Sequence, residues 1–495
     1  MPHGARHRLP LAVFLQTSFV LSAVTANQDR SPETQQVVRG VRLLRAQALE
    51  GLGELKRAAH VLQLVLEDEE DYAVRFRLAR LYDRVGDHAT THETLVAVPP
   101  KERTLGMNCL LGRKARRLQL NAEALAAYSE ALRQSPYCTE AALAILDLGV
   151  PLQELIFKYT ASAVAPPAWL ADLFEAHAIM RRHEYKPAIV KFGALATNFP
   201  ANTHLLLHLA RCHVQNRRMK PAHVAFETVR KIDPFVVDSM DTFGSLLRAE
   251  GNQTELNMLS HELLSISATR PEPWVVTALA ADLSGFPVQA TEYTSKAIQI
   301  DDMHTVAYLL KGALMLQVAD YPVAIEAFRR AYVLERSLDA LEGLVETYLA
   351  IPQYKQALTI AKEALQLMQR NSRALVLVGR VLSHHQEGRD RAHKAFRNAL
   401  TLDAEFVPAI VAQASLYVVE GNTSDAITLL TGTLQKVRDE ALNLKLGEIY
   451  FSKHQFAEAM FQYESALAIN PILPAARAAL ERVRLAIADP DSARS

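Results

Sequence analysis

The chain has 495 residues, in which 54 basic side chains balance 54 acidic ones and aromatic residues make up 7%. That length is too great for one hydrophobic core and predicts several domains or a repeat array. The balanced charge gives no overall positive field for nucleic acid or an anionic membrane, and so favours protein partners. A composition rich in Leu and Ala, with 19 glycines, predicts an all-α fold.

Residues 1–38 form an atypical N-terminal segment. Arg6 and Arg8 precede an apolar run from Leu9 to Ala26, an order typical of a secretory signal. Polar residues interrupt the run, so an amphipathic first helix and an artefact of the gene start are the alternatives. A true signal would send the protein into the secretory pathway.

From about residue 40 onward the chain repeats itself every 34 residues or so. Small residues in each predicted helix pair alternate with large ones at fixed spacing, and such alternation lets helices interlock. The residues predicted to pack the repeats are Gly112, Ala124, Tyr128, Ala188, Phe192, Ala222, Phe226, Gly244, Trp274, Ala290, Gly312, Ala324, Phe328, Ala392, Phe396, Ala426, Gly447, Ala459 and Tyr463. This pattern resembles the tetratricopeptide repeat, whose helix pairs stack on their neighbours.

The period predicts a right-handed superhelical solenoid of about thirteen tetratricopeptide-type helix pairs and a closing helix from Pro474 to Ala486. The pattern weakens between Thr139 and Ala165, which predicts a seam there. We therefore expect N-terminal repeats over 39–165, a C-terminal solenoid over 166–486 and a polar tail over 487–495.

The sequence predicts no catalytic, cofactor-binding or metal-binding residues. Cys109, Cys138 and Cys212 are far apart in the chain, which predicts buried reduced thiols and argues against a disulfide framework or a cysteine zinc module. His384 and His385 are adjacent, so on a helix they point about 100° apart and do not face one metal. Sequence motifs for hydrolases and phosphate-binding loops are missing as well.

Function is therefore expected on the concave groove, which the first helices of successive pairs line. An apolar lining, suited to an extended or helical protein segment, is predicted at Leu309, Leu316, Leu377, Val381, Val411, Leu444 and Phe451. A basic lining, suited to an acidic peptide, is predicted at Arg80, Arg113, His177, Arg181, His204, His208 and Arg211. The alternatives are a hydrated groove and a winding that buries some of these residues against adjoining turns.

Tetratricopeptide co-chaperones hold a terminal carboxylate with Lys and Asn at the fifth and ninth positions of a first helix. The corresponding positions here carry other pairs, such as Phe76 with Arg80 and Glu342 with Glu346. A co-chaperone adaptor is therefore a lesser alternative.

Several segments resemble the subunit seven family of the anaphase-promoting complex. They include DPFVVDSMDTFGSLLRAEG (residues 233–251), EPWVV (272–276) and LEGLVETYLA (341–350). The likeness covers about residues 70 to 480 and does not reach the first 40 or so.

The resemblance implies a non-catalytic scaffold or adaptor subunit of a ubiquitin ligase, which supports the ubiquitination of mitotic regulators in the nucleus and cytoplasm. It also implies other tetratricopeptide subunits as partners, a homodimer through residues 39–165, and substrate or coactivator proteins as further candidates. A secreted or lumenal peptide-binding protein is the alternative from another class.

Overall fold

A computed structural model of the protein describes residues 3–26, 32–68, 70–160, 167–368 and 370–488, which form 28 α-helices and no strand. The helices are α1 (His3–Ala26), α2 (Pro32–Gly51), α3 (Leu55–Asp68), α4 (Tyr72–Val85), α5 (His88–Val96), α6 (Leu105–Arg117), α7 (Asn121–Gln134), α8 (Thr139–Asp147), α9 (Leu152–Thr160), α10 (Ala168–Arg181), α11 (Tyr185–Asn198), α12 (Thr203–Gln215), α13 (Met219–Ile232), α14 (Met240–Glu250), α15 (Gln253–Ile266), α16 (Pro271–Leu283), α17 (Pro287–Ile300), α18 (Thr305–Gln317), α19 (Tyr321–Leu334), α20 (Leu338–Ala350), α21 (Tyr354–Leu367), α22 (Ser372–Ser383), α23 (Arg389–Leu402), α24 (Val407–Val419), α25 (Thr423–Leu434), α26 (Glu440–Ser452), α27 (Phe456–Ile469) and α28 (Pro474–Ala488). Among the described helices, none has the length and apolar character that crossing a membrane requires.

The all-α solenoid predicted from the period is confirmed. Helices α2 to α27 follow one another as thirteen pairs in chain order, and α28 comes after the last pair. The alanines predicted at the helix contacts are buried, as are the glycines and the aromatic residues apart from Trp274. Trp274 is half-buried, and its indole Nε1 donates a hydrogen bond to the carbonyl of Ala268 at 2.8 Å.

The atypical N-terminal segment contributes a helix to the first unit. Pro10 of α1 lies against Gly51 at the end of α2, and the ring of Phe14 has the guanidinium groups of Arg45 and Arg57 each 5.2 Å from its centroid. Since α2 begins at Pro32, the predicted boundary at residue 38 falls inside a helix. Residues 27–31 lie outside the described part of the chain.

The chain divides into two compact units, Met1–Arg181 and Arg182–Ser495. This division comes after the domain boundary predicted at residue 165, because α10 packs against α8. The carboxylate of Asp147, at the end of α8, lies 3.1 Å from Nε2 of His177 and 3.3 Å from Nε of Arg181, both on α10. Of the stretch 139–165 in which the seam was predicted, residues 139–160 contain α8 and α9, and residues 161–165 lie outside the described part of the chain.

A glycine in the first helix of several pairs lies directly against an aromatic ring of the second helix. A Cβ atom at Gly447 would come within 2.5 Å of the Tyr463 ring, and one at Gly312 within 2.7 Å of the Phe328 ring. Gly112 with Tyr128 and Gly379 with Phe396 repeat the arrangement. Because these rings are almost fully buried they have no space into which to move, and the glycine sets how closely the two helices approach.

We expect Gly447→Ala to destabilise the last repeats. The added methyl group overlaps the buried Tyr463 ring, and overpacking of this kind costs about 1–3 kcal/mol, which outweighs the gain in helix propensity of up to about 1 kcal/mol. The measurement is the denaturant midpoint followed by circular dichroism.

Gly432→Ala is the matched control for this substitution. Gly432 is an exposed helical glycine of α25, with no atom within 4 Å of the position of an added Cβ. We expect this variant to be as stable as the parent chain or up to about 1 kcal/mol more stable. Equal midpoints for Gly447→Ala and Gly432→Ala would contradict the contact between the glycine and the ring.

Candidate protein-binding groove

A cavity of about 780 Å³ lies along α20, α22 and α24, the first helices of three successive pairs in the second unit. We call it the C-terminal groove. Its apolar wall includes Val376, Leu377, Val407, Val411, Leu416 and Val419. Its charged wall consists of Arg217, Glu342, Glu346, Arg373, Arg380 and Arg389. A groove lined by both apolar and charged side chains suits a protein segment that is itself amphipathic.

The charged wall is organised by Arg373, whose side chain is 4% exposed. Its guanidinium donates hydrogen bonds to Glu342 at 2.7 Å, to Asp339 at 2.7 Å and to Oε1 of Gln215 at 2.8 Å. We call these four residues the Arg373 cluster. Gln215 ends α12 and is 158 residues away from Arg373 in sequence, so the cluster joins distant repeats of the second unit.

Other contacts of the same long range lie on either side of the Arg373 cluster. Arg217 pairs with Glu342 at 2.9 Å, and Lys186 pairs with Asp403 at 2.7 Å. The amide of Asn371 donates to the carbonyl of His183 at 3.2 Å. At this place distant repeats of the second unit contact each other. The sequence analysis had left open this alternative, in which winding buries some groove residues against adjoining turns.

The Arg373 cluster also changes the acidity of its members. Burial alone would raise the pKa of Asp339, but the charges of Arg373 and Arg217, together with hydrogen bonds from Arg373 and Gln215, lower it to about 2. Burial would lower the pKa of Arg373, and the carboxylates of Glu342 and Asp339 instead raise it. Both groups are therefore charged across the physiological pH range.

The structure divides the predicted apolar lining into three groups. Leu377 and Val411 line the C-terminal groove. The half-buried side chains Leu309, Leu316, Leu444 and Phe451 pack against neighbouring hydrophobic clusters. Val381 was also predicted to line the groove, and this prediction is corrected: Val381 is not part of the cavity lining, and its side chain, 2% exposed, packs within the core that includes α20, α21 and α22.

Most of the basic side chains predicted to line the groove are either paired with acidic residues or buried. Arg113 pairs with Glu140 at 3.0 Å, and Arg181 lies beside Asp147. Burial alone would raise the pKa of Asp147, yet the hydrogen bond from His177 and the charges of Arg181, His177 and Arg116 lower it to about 2. In the first unit this surface is therefore neutralised rather than strongly basic.

The prediction that His177 and His208 line the groove is corrected, because both side chains are buried. His177 is 5% exposed because it packs against Asp147, and His208 is 7% exposed because its ring stacks on Phe192 with centroids 5.4 Å apart. His204 is exposed, with its Nε2 atom 3.2 Å from that of His208.

Arg80 and Arg211 are exposed as predicted. Arg80 lies at a smaller cavity of about 260 Å³ in the first unit, together with Arg77 and Arg84.

Folding also brings together two cysteines that the sequence keeps apart. The Sγ atoms of Cys109 on α6 and Cys138, which precedes α8, are 3.6 Å apart, and both are free thiols. Burial and the neighbouring Cys138 raise the pKa of Cys109 to about 12, and burial raises the pKa of Cys212 to about 12. The Cys109 and Cys212 thiols are therefore protonated and unreactive at neutral pH.

The charged wall was missed because its members come from three separate repeats. A signal was available in α22, where Arg373 begins an otherwise apolar helix that ends with Arg380 and Ser383. A cation in such a helix needs a partner when it is buried. The sequence alone does not show that its carboxylate partners would come from α20 and a further hydrogen-bond acceptor from α12.

The fold and the repeat contacts define a tetratricopeptide-repeat solenoid protein. Residues 441–472 match the family described as tetratricopeptide repeat. A solved structure described as the APC/C hetero-tetramer Cut9-Hcn1 is similar over 98% of this chain and 96% of that chain, with a TM-score of 0.60 and 18% sequence identity. That likeness concerns the fold.

Sequence similarity gives the family. Anaphase-promoting complex subunit 7 of Arabidopsis thaliana is 33% identical over 85% of this chain and 77% of its own length. The subunit of the same name from Homo sapiens is 28% identical over 80% of this chain and 71% of its own length. The chain belongs to the anaphase-promoting complex subunit 7 family, which confirms the resemblance seen in the sequence.

We expect Arg373→Met to destabilise the protein by about 3–5 kcal/mol, because Asp339 and Glu342 would lose the buried cation between them. Arg380→Met, on the same helix, is the matched control. Arg380 forms a half-exposed pair with Glu346 at 3.3 Å, which contributes about 1 kcal/mol or less. The measurement is the urea midpoint at neutral pH.

The Arg373 cluster should also fail in acid. The pKa of Asp339 in the folded protein is about 2, below its ordinary value of about 3.9. Its contribution is therefore complete above pH 4 or so and is lost as the pH falls towards 2. The difference in midpoint between the parent and Arg373→Met should shrink over this range, and a difference that grew on acidification would contradict the charge pairing.

Proposed function

We propose that the protein is a non-catalytic scaffold subunit of the anaphase-promoting complex, the ubiquitin ligase that marks mitotic regulators for degradation. The observation that carries this proposal is the 33% identity to a subunit 7 over 85% of the chain. The site of action that we propose is nuclear and cytoplasmic.

Ion pairs between distant repeats of the second unit support a scaffold role. The Arg373 cluster and the Lys186–Asp403 pair hold distant repeats of the second unit together. Such contacts add long-range connections to a repeat array, whose stability otherwise comes from contacts between neighbours. A stiffened solenoid suits a subunit whose task is to hold other proteins at fixed positions.

We propose the C-terminal groove as the surface that receives a neighbouring protein. Other tetratricopeptide subunits of the complex are the partners we favour, and substrates or coactivators are further candidates. The similar solved structure is itself that of a hetero-tetramer. Val419, at 61% exposure, gives the apolar wall an accessible side chain, and Glu346 and Arg380 supply charges of both signs.

The test is affinity purification of the C-terminally tagged chain from cells that lack the native subunit. We expect other subunits of the ligase to be recovered by the parent chain and by Val333→Asp, and to be reduced with Val419→Asp. Val333, at 64% exposure, is the matched control because it lies on α19, outside the groove lining. Recovery should fall with Val419→Asp because its carboxylate, placed in the apolar wall, would lose its hydration when a partner binds.

Mass spectrometry of the N-terminal peptide in the same experiment distinguishes the scaffold subunit from the alternative, a secreted or lumenal peptide-binding protein. Lumenal chaperones recovered together with a new N-terminus at Asn27 would overturn the scaffold proposal in favour of export. Equal recovery of ligase subunits by Val419→Asp and Val333→Asp would preserve membership of the complex but exclude the groove as the contact.

We also propose that the N-terminal repeats form a homodimer. In the first unit, α2 exposes Val37 at 54% and Leu44 at 52%, and neighbouring α1 exposes Phe19 at 77%. Exposed apolar side chains grouped in this way are typical of protein interfaces. Leu44 falls within residues 39–165, to which the family resemblance assigns the dimer contact.

We expect Leu44→Glu to convert the dimer into a monomer, because a carboxylate placed in an apolar interface is desolvated without a partner. The measurement is the molar mass of the full chain by light scattering after gel filtration. Leu485→Glu is the matched control, since Leu485 is 67% exposed on α28, the last of the described helices, which belongs to the second unit. A parent chain that elutes as a monomer would contradict the homodimer.

A further inference from the structure

A histidine in the second unit lies among three carboxylates contributed by three helices. His223 and Glu227 are one turn apart on α13, Glu250 is the last residue of α14, and Glu255 lies in the first turn of α15. The ligand atoms of His223, Glu227 and Glu255 all lie within 4.8 Å of one another. The sequence analysis predicted no metal site, and this grouping was hidden because Glu255 comes from the next repeat.

The two ring nitrogens of His223 have different surroundings. Nδ1 lies 3.0 Å from Oε2 of Glu250, whereas Nε2 faces Oε1 of Glu227 at 3.7 Å and Oε2 of Glu255 at 3.9 Å. A carboxylate on one nitrogen fixes the tautomer and turns the other nitrogen's lone pair outwards, as in metal-bound histidines. Nε2 therefore points at two carboxylates with a gap between them.

Neighbouring residues hold this arrangement in place. The ring of Phe243 meets the imidazole edge-on, with centroids 5.5 Å apart. Asn252 donates a hydrogen bond from its side-chain amide to Glu255 at 2.8 Å and caps α15. Three carboxylates surround one imidazole, and Lys231, 3.7 Å from the second oxygen of Glu227, is 76% exposed. The cluster thus has an excess of negative charge that a bound cation would neutralise.

A second repeat contains the same histidine–glutamate pair without the further carboxylates around Nε2. His393 follows the small residue Ala392, as His223 follows Ala222, and its Nε2 lies 3.0 Å from Glu420. Arg397 stands where the first repeat has Glu227. At His393 a single glutamate bound directly to Nε2 is enough to join the two repeats. The two additional glutamates that face Nε2 of His223 are therefore not needed for that structural contact.

We propose that His223, Glu227 and Glu255 bind a divalent transition-metal ion of the Zn²⁺ class, with Glu250 orienting the imidazole. One nitrogen and two carboxylate oxygens form a ligand set that Zn²⁺ accepts, with a fourth position left for water. A tetrahedral ion with bonds near 2.1 Å separates its ligand atoms by about 3.4 Å. The distances from Nε2 to the carboxylates of Glu227 and Glu255, 3.7 Å and 3.9 Å, are close to this value. The two carboxylate oxygens, which lie within 4.8 Å of each other, have to approach further, and both side chains are partly exposed and have room to move.

The ion would connect two successive helix pairs, because α13 and α15 belong to neighbouring pairs. Binding to the folded chain alone would stabilise it in proportion to the logarithm of the ion concentration. Protons compete for the imidazole. They also compete for the carboxylates of Glu227 and Glu255, so binding should weaken as the solution becomes acidic.

The test is calorimetric titration of ZnCl₂ into the full chain after treatment with EDTA. We expect one Zn²⁺ equivalent that is lost or weakened by at least about tenfold in Glu227→Gln and Glu255→Gln, and by about 10–100-fold in Glu250→Gln. Glu464→Gln is the matched control, since Glu464 follows Ala459 by the spacing that separates Glu227 from Ala222. Melting curves without metal check that every variant folds.

Absorption spectra with Co²⁺ identify the ligands independently of affinity. Coordination by nitrogen and oxygen gives weak visible bands, whereas coordination by Cys109 and Cys138 would add a strong thiolate band in the near ultraviolet. That thiolate band, an absence of Zn²⁺ binding, or equal Zn²⁺ binding by the parent and Glu227→Gln would each overturn the proposal. A proton on His223 would then be the cation that the carboxylates hold.

Discussion

The spacing of the two helices in a pair depends on an aromatic ring packed against a glycine. At Gly447 and Tyr463, and again at Gly312 and Phe328, the ring occupies the space that a Cβ would need. Since a helix pair cannot bury its apolar face alone, this close approach is what presents a continuous surface to the next pair. The direction in which the solenoid winds is the sum of these local contacts.

Winding has a consequence in the second unit, where α12 reaches α20 and α22. The Arg373 cluster is placed at this meeting of distant repeats, and a buried cation there must be matched by carboxylates because it cannot be hydrated. Asp339 and Glu342 supply that match, and Asp339 is held ionised by its low pKa. The same cluster forms part of the charged wall of the C-terminal groove, so the contact that closes the solenoid also shapes the surface proposed for a partner.

The proposed scaffold role would give this arrangement a use. A subunit that holds other proteins needs rigidity and an accessible surface more than reactive groups, and burial raises the pKa of the Cys109 and Cys212 thiols away from the reactive range. The proposed metal ligands around His223 fit the same logic, because an ion there would add one more connection between neighbouring helix pairs. The Arg373 cluster and the proposed ion would both stiffen the array.

The sequence by itself determined the all-α class, the number of pairs and the family, because local spacing of small and aromatic residues is set along the chain and needs no distant partner. Tertiary structure decided which predicted groove residues are accessible. Val381 and His208 are buried, and the groove is lined in part by Glu346 and Arg380, which the groove prediction did not include. It also decided the pairing of Arg373 with Gln215 and the gathering of carboxylates at His223. The contacts of Arg373 depend on the small rotations that accumulate over several repeats, and those of His223 depend on how two neighbouring pairs pack, so neither can be read from any one repeat.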